Sequence, residues 1–185
     1  MRRIALLAAA FYLIFAGAWA QGIGVSSTSP TPSHYQVNFA SSQTAPNSTS
    51  TYKTQGLGTT SSLAPTMTGT VLITISGTIY EPAGTAATIG IKYQIYYGTG
   101  TAPANQTSVA SNCSTTSCTA VGVIQTHENG ATITAADLFV PFSITALVTG
   151  LTLGTGYWFD LAAESVGTAS DQGFSTVGVS VLELP

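Results

Sequence analysis

The chain has 185 residues and few charges, with four Lys and Arg against seven Asp and Glu, a net charge of −3. A protein this poor in basic residues cannot make the multiple phosphate contacts that nucleic-acid affinity needs, which excludes nucleic acid as a partner. Abundant Thr, Val, Ser and Gly with so few charges is typical of strand-rich secreted and virion-surface proteins.

The chain begins with a pattern typical of an export signal. Two arginines precede an apolar run over residues 4–15, and small residues end at Ala20 in the A-x-A arrangement of a cleavage site. The run is shorter than the roughly 20 apolar residues that span a bilayer. We predict a signal peptide over residues 1–20, cleaved before Gln21. The mature protein is then secreted, periplasmic or on the cell surface, without membrane insertion.

Removal of the signal leaves 185 − 20 = 165 residues, enough for one domain, with a net charge of 2 − 7 = −5 because both arginines are lost. The segment 21–50 is rich in Ser, Thr and Pro, which predicts an extended arm or linker. It is either disordered or contains one short strand at HYQVNF. The remaining residues, 51–185, are predicted to form a β-sandwich domain.

Period-2 alternation of apolar residues predicts the strands of this domain. In the first, Val71, Ile73, Ile75 and Ile79 share one face. A proline at position 141 predicts an edge or bend position in the fourth. No window has helical periodicity beyond one turn at TAADLF. Six or seven strands with Gly-rich connections predict an antiparallel two-sheet sandwich. The predicted strands are TVLITISGTIY, TIGIKYQIYYG, AVGVIQTHE, DLFVPFSITALV, YWFDLAAE and TVGVSVLEL.

The strand YWFDLAAE raises the question of a site, because it concentrates aromatic and acidic residues. Tyr157 and Phe159 share one face and are expected in the core. The residues that alternate with them are expected near solvent or a partner subunit. Exposed aromatic rings can stack on sugars or anchor a protein interface. The candidate binding surface, for a carbohydrate or a protein, consists of Tyr96, Trp158, Asp160 and Glu164.

The alternative function is a secreted hydrolase that acts on polysaccharide through paired carboxylates, drawn from Asp160, Glu164 and Glu128. Asp160 and Glu164 are four residues apart on one strand face, so their Cα atoms are roughly 13 Å apart. A solvated outer face explains both acids without catalysis. With only His34 and His127 and no G-x-S-x-G turn, a Ser-His-Asp triad is not indicated. We predict a non-enzymatic protein.

The two cysteines, Cys113 and Cys118, are predicted to form a disulfide that closes a short surface loop of an exported protein. A C-x4-C spacing without a second pair or a neighbouring His does not fit a zinc site. Loops such as GTASDQG offer oxygen ligands for calcium, but without regular spacing. The sequence therefore predicts neither a metal nor a cofactor.

Two families resemble parts of the chain. LTLGTGYWFDLAA, a variable loop and the final strand VGVSVLEL resemble the last strands of trimeric jelly rolls of the tumour-necrosis-factor and complement-collagen kind. LAPTMTGTVLITISGTI is compatible with their opening strands. GLTLGTGYWFDLAAES is also similar to the tyrosine-corner turn of fibronectin type III modules, with Tyr157 as the corner tyrosine. The chain lacks the early-strand tryptophan of that module and is long for it, so the jelly roll is preferred over a fibronectin- or immunoglobulin-like sandwich.

A third resemblance concerns origin. YQIYYGTGTAPAN, GLTLGTGYWFDLAAES and VSVLEL are similar to uncharacterised bacterial and bacteriophage proteins thought to be structural or fibre-head components. This resemblance implies surface display or virion attachment and carries over no catalytic residue. The jelly-roll resemblance implies a homo-oligomer, with a trimer as one form. Together they predict a secreted structural or surface-recognition protein.

Overall fold

The computed structural model describes residues 34–39, 43–44, 51–60, 62–113, 117–134, 136–167 and 172–185. The chain divides into two units, residues 1–30 and 31–185, and every described residue lies in the second. The predicted signal peptide and its cleavage point between Ala20 and Gln21 lie outside the described residues.

The described part of the chain forms nine strands and two short helical turns. The strands are β1 (His34–Phe39), β2 (Gln43–Thr44), β3 (Lys53–Thr54), β4 (Val71–Glu81), β5 (Gly90–Thr99), β6 (Cys118–Glu128), β7 (Leu138–Val148), β8 (Tyr157–Val166) and β9 (Gly173–Glu183). The helical turns are a 3₁₀ turn, Leu57–Thr60, and an α-helical turn, Val109–Asn112.

The six strands predicted from alternation are confirmed as β4 to β9, within a few residues at each end. The short strand expected at HYQVNF is β1. Both β1 and β2 pair with β9, so the sheet includes part of the segment expected to be an arm. The helical turn considered at TAADLF is not formed by its described residues, because β7 begins at Leu138.

The strands make two antiparallel sheets. One has the order β1-β9-β4-β7, with β2 also on β9, and the other has the order β3-β8-β5-β6. Without the two-residue β2, the eight strands run first-eighth-third-sixth in one sheet and second-seventh-fourth-fifth in the other. This is the order of a jelly roll, in which two Greek keys wrap two sheets together. The preferred fold is confirmed, and the order excludes the fibronectin-like alternative.

The core lies between the two sheets and follows the predicted alternation. Each of the four residues predicted to share a face of β4, Val71, Ile73, Ile75 and Ile79, is buried. Every second residue of β7 from Phe142 to Val148 is buried as well, while Pro141 faces outward on an edge strand of its sheet.

Two bulges interrupt the strand pairing, one in the edge strand β6 and one in the interior strand β9. Gly122, with φ of 75°, lies where the register of β6 against β5 shifts. A Cβ at Gly122 would lie 3.1 Å from Ala146 Cβ of β7, so the edge strands of the two sheets meet here. In β9 the bulge includes Thr176, which has φ of 48°. Its carbonyl lies so close to Gly77 of β4 that only glycine fits there.

Candidate functional site

The structure separates the four residues of the predicted binding surface into two buried and two partly accessible ones. Trp158 and Asp160 do project from the outer face of β8, but they are only 2% and 0% exposed, so the prediction that they lie near solvent is wrong. The Trp158 Nε1–H donates to the Thr99 carbonyl at 3.3 Å, and Gly58 of the 3₁₀ turn lies against the Trp158 Cβ. The chain itself covers this face.

Asp160 holds the covering segment in place. Its carboxylate accepts backbone N–H groups from Gln55 and Leu57 at 3.2 Å, Gly56 at 3.0 Å and Leu161 at 2.8 Å. Burial raises the pKa of Asp160 to about 7, against the opposing effect of these four donors. A carboxylate with no exposed surface cannot contact a polysaccharide, so Asp160 serves the fold.

Tyr96 and Glu164 keep part of their surface. The Tyr96 ring lies 6.2 Å from that of Tyr52, and Glu164 Oε1 is 3.4 Å from Lys92 Nζ. Burial raises the pKa of Tyr52 to about 12, with Glu164 and Tyr96 adding to the rise. These contacts give Tyr96 a packing role and Glu164 an ion-pairing role.

The core-facing residues of β8 lie as predicted. Phe159 is buried, and Tyr157 packs partly buried against the core. The Tyr157 hydroxyl accepts a hydrogen bond from the Thr152 N–H at 3.1 Å. A bond from this tyrosine back to the preceding turn is therefore present, although the fold is not the fibronectin module that suggested it.

A second buried carboxylate, Glu183, binds the loop before β4. It accepts backbone N–H groups from Thr66 and Met67 at 2.8 Å, Thr68 at 2.9 Å and Gly69 at 3.2 Å. Burial raises the pKa of Glu183, but the four donors outweigh it and lower the pKa to about 2. Alternation places Glu183 on the same face as the apolar core residues of the final strand. It does not show which distant loop the carboxylate binds.

The disulfide between Cys113 and Cys118 is present, with Cα atoms 5.2 Å apart. It links the end of the helical turn to the first residue of β6. Within the described residues no group of three His, Cys, Asp or Glu could hold a metal ion. Nor is any helix in this part of the chain long and apolar enough to cross a membrane.

The outer face of β9, β4 and β7 is the largest feature that the sequence analysis missed. Register places its residues in five rows of three, and none of the fifteen positions is charged. We call these fifteen positions the uncharged face. The rows are Leu147–Leu72–Leu182, Thr145–Thr74–Ser180, Ser143–Ser76–Gly178, Pro141–Thr78–Ser175 and Phe139–Tyr80–Gly173.

The uncharged face is apolar at both ends and carries hydroxyl groups between them. Leu147 and Phe139 are 51% and 55% exposed at its two ends, and the Tyr80 ring lies 5.3 Å from that of Phe139. Around the edge, Val123 and Ile124 in the β6 bulge are also exposed, next to the point where β6 meets β7. The apolar surface therefore continues from the sheet face onto the edge.

No protein-family model matches the chain. No curated protein matches it either. Among solved structures, a chain of infectious bursal disease virus, Gx strain, is similar at 14% identity with a TM-score of 0.42, over 82% of this chain and 32% of that one. Eiger TNF from S. frugiperda is similar at 10% identity with a TM-score of 0.34, over 83% and 92% of the two chains.

A third similar structure is the VP2 subviral particle of infectious bursal disease virus, at 14% identity with a TM-score of 0.29, over 84% of this chain and 42% of that one. This chain thus spans about a third of the first viral chain's length. The jelly-roll assignment stands on the strand order of the two sheets.

Proposed function

We propose that the protein is an exported, non-enzymatic jelly roll that assembles with copies of itself through the uncharged face and serves a structural or surface-recognition role. The observation that carries this proposal is the set of fifteen outward positions without a charge, in a chain whose described acids and lysines all lie elsewhere. Depletion of charge at the centre of a patch, with aromatic residues present, is the compositional mark of an interface.

The size of the uncharged face supports assembly. Three strands about 4.8 Å apart and five rows about 6.8 Å apart cover roughly 500 Å². A standard interface buries about 800 Å² on each partner, so the face supplies more than half of it. The exposed Val123 and Ile124 on the β6 edge extend the surface toward the rest.

The uncharged face and the apolar edge of β6 point in different directions, because one is a sheet face and the other a strand edge. Contact of the edge of one copy with the face of the next is a head-to-tail arrangement, which closes into a ring when the rotation fits. A trimer is the form we propose. Such a ring would bury the exposed edge of β6, which otherwise offers unpaired backbone groups to any other strand.

The non-enzymatic part of the proposal is supported by what the described acids do. Asp160 and Glu183 bind backbone amides, and Glu164 pairs with Lys92. Because Trp158 and Asp160 are covered, a carbohydrate cannot stack on the first or contact the second. We therefore propose that the recognition partner is a protein surface and, first of all, another copy of the chain. The export signal pattern and the disulfide support a location outside the cytoplasm.

The test is the mass in solution of the purified protein, measured by light scattering. We expect about three times the mass of one chain, and a Leu147→Glu variant that runs as a folded monomer because it places a charge in the uncharged face. Leu153→Glu is the matched control. Leu153 is 51% exposed, like Leu147, but lies in the turn between β7 and β8.

The control variant is expected to keep the mass of the unmodified protein. A monomeric unmodified protein contradicts self-assembly. Equal dissociation by both substitutions, or by neither, would show that assembly does not depend on the uncharged face.

A further inference from the structure

A buried polar cluster lies between the two sheets at one end of the sandwich. Glu81 ends β4 and faces inward with no exposed surface. Gln172 precedes β9 and is 1% exposed, next to Glu81 across the β4–β9 ladder. From the other sheet, His127 and Asn129 at the end of β6 reach the same place. Four polar side chains from two sheets therefore meet in an otherwise apolar interior.

These side chains have unsatisfied polar atoms. Glu81 Oε2, His127 Nε2, Asn129 Nδ2 and Gln172 Oε1 are buried and have no hydrogen-bond partner in the described part of the chain. Buried polar groups in folded proteins are nearly always paired, and a buried carboxylate needs a compensating cation. Four such atoms at one place indicate that something else binds there.

The distances around Glu81 are long enough to admit an ion between the side chains. His127 Nε2 lies 3.6 Å from Glu81 Oε1, which is too long for a hydrogen bond. The Gln172 amide N–H donates a long hydrogen bond of 3.5 Å to the same oxygen. Two ligand atoms that bind one tetrahedral metal at about 2.0–2.1 Å are separated by roughly 3.4 Å. A half-turn of the Gln172 amide would bring its unpaired oxygen into the position of the nitrogen.

We propose that Glu81, His127 and Gln172 bind one divalent transition-metal cation of the Zn²⁺ class, which joins the two sheets at this end of the jelly roll. Imidazole and carboxylate are ligands that such ions prefer, and a water molecule completes four-coordination. The ion enters the site past His127, whose side chain is 25% exposed.

Asn129 completes the site as a positioning residue. Its backbone is fixed, because its N–H donates to the Ile89 carbonyl at 3.0 Å and its carbonyl accepts from the Thr88 N–H at 2.8 Å. Its side-chain amide is close enough to Glu81 to influence the carboxylate, but not at hydrogen-bond geometry. Carboxylate ligands are commonly oriented by an outer hydrogen bond, and the Asn129 amide lies where it would donate one once the ion is bound.

The sequence predicted no metal because these ligands are scattered over residues 81, 127 and 172. No spacing rule connects them, and one is an amide. Only the jelly-roll topology brings the end of β4, the end of β6 and the start of β9 together.

The test is titration of the chelator-treated, purified protein with ZnCl₂, followed by calorimetry and thermal unfolding. We expect one Zn²⁺ per chain and a rise in Tm of roughly 5 °C at a hundredfold excess over Kd. Co²⁺ in place of Zn²⁺ should give the visible absorption of a four-coordinate ion with nitrogen and oxygen ligands. His127→Ala and Glu81→Gln should each weaken binding by at least about tenfold.

Two control variants separate this site from casual surface binding. Glu128→Gln removes an exposed acid beside His127, and His34→Ala removes the only other histidine of the chain. Both should bind Zn²⁺ as the unmodified protein does. Glu81→Gln should keep the native circular dichroism, so a loss of binding reports on the ligand. No Zn²⁺ binding, or binding that His127→Ala leaves intact, overturns the proposal and assigns the buried atoms to water.

Discussion

Asp160 and Glu183 each bind the backbone of a loop more than a hundred residues earlier in the chain. Asp160 binds residues 55–57, and Glu183 binds residues 66–69. Each carboxylate has four backbone donors, so the local hydrogen bonding is nearly the same. Yet the pKa of Asp160 is raised to about 7, and that of Glu183 is lowered to about 2.

The difference lies in what surrounds the two carboxylates. Asp160 lies on a central strand beneath a segment that also covers Trp158, so it is far from water on every side. Glu183 is also buried, but it lies at the last position of β9 and binds a loop in which Thr66 and Thr68 are exposed. Loss of hydration outweighs four donors in the first case and not in the second. Two carboxylates that each bind a loop through backbone N–H groups therefore have pKa shifts of opposite direction.

Removal of Asp160 is expected to have the largest effect. In Asp160→Ala the buried N–H groups of Gly56 and Leu57 lose their partner, while that of Gln55 keeps the Leu161 carbonyl at 2.9 Å. We expect the free energy of unfolding to fall by about 5 kcal/mol, measured by urea unfolding. Glu164→Ala is the matched control on the same strand, with an expected loss under about 1 kcal/mol. Similar losses for the two variants would contradict the role given to Asp160.

The pH dependence of stability is the second prediction. Because the folded-state pKa of Asp160 is raised, the folded protein binds a proton that the unfolded chain releases between pH about 4 and about 7. Stability should fall as the pH rises through this window, by on the order of 4 kcal/mol, and then level off. Urea unfolding at a series of pH values measures it.

The pKa of Glu183 is shifted in the opposite direction from that of Asp160, so its effect on stability has the opposite pH dependence. Its lowered pKa gives stability that is complete above pH about 4.5 and is lost as the pH falls through about 2. Stability should therefore peak near pH 4–5, at about the ordinary carboxyl pKa. Asp160→Asn should remove most of the slope above the peak, leaving the part due to Glu81, whose pKa burial also raises. An unchanged slope in Asp160→Asn would contradict the assignment.

Glu183→Gln is expected to have a smaller effect. The amide keeps one oxygen that can accept from the loop 66–69 but loses the charge that strengthens the bonds, and water can reach a loop at the surface. We expect a loss of about 2 kcal/mol at pH 7 and none below pH 2. A loss that persists at low pH would mean that the side chain acts through packing instead of charge.

The fold was predictable because alternation marks strands that have one face in a core. β4, β7 and β9 show this pattern over most of their length, and the residues predicted to face the core, such as Ile73, Ile144 and Val179, are buried. β3 was not predicted, because two residues carry no period. Alternation also led to the wrong prediction that Trp158 and Asp160 lie near solvent. Alternation gives the side of a strand on which a residue lies, but not whether a distant segment covers that side.

The uncharged face was missed for a related reason. Each of its strands places a mixture of hydroxyl, small and apolar residues outward, and no single strand looks unusual. Only the register of β7, β4 and β9 aligns Leu147, Leu72 and Leu182 in one row. Contacts between segments that are distant in the sequence therefore decide which sheet surfaces are covered and which are exposed.

The disulfide is expected to contribute less to stability than either Asp160 or Glu183. It joins residues five apart, whereas the two carboxylates join segments separated by more than a hundred residues. Closing so short a loop restricts the unfolded chain little, so Cys113→Ser with Cys118→Ser should cost about 2 kcal/mol or less. Since neither cysteine belongs to the uncharged face, the double variant should also keep the mass of the unmodified protein. A loss as large as that of Asp160→Ala would show that the loop before β6 supports the fold far more than its five-residue closure implies.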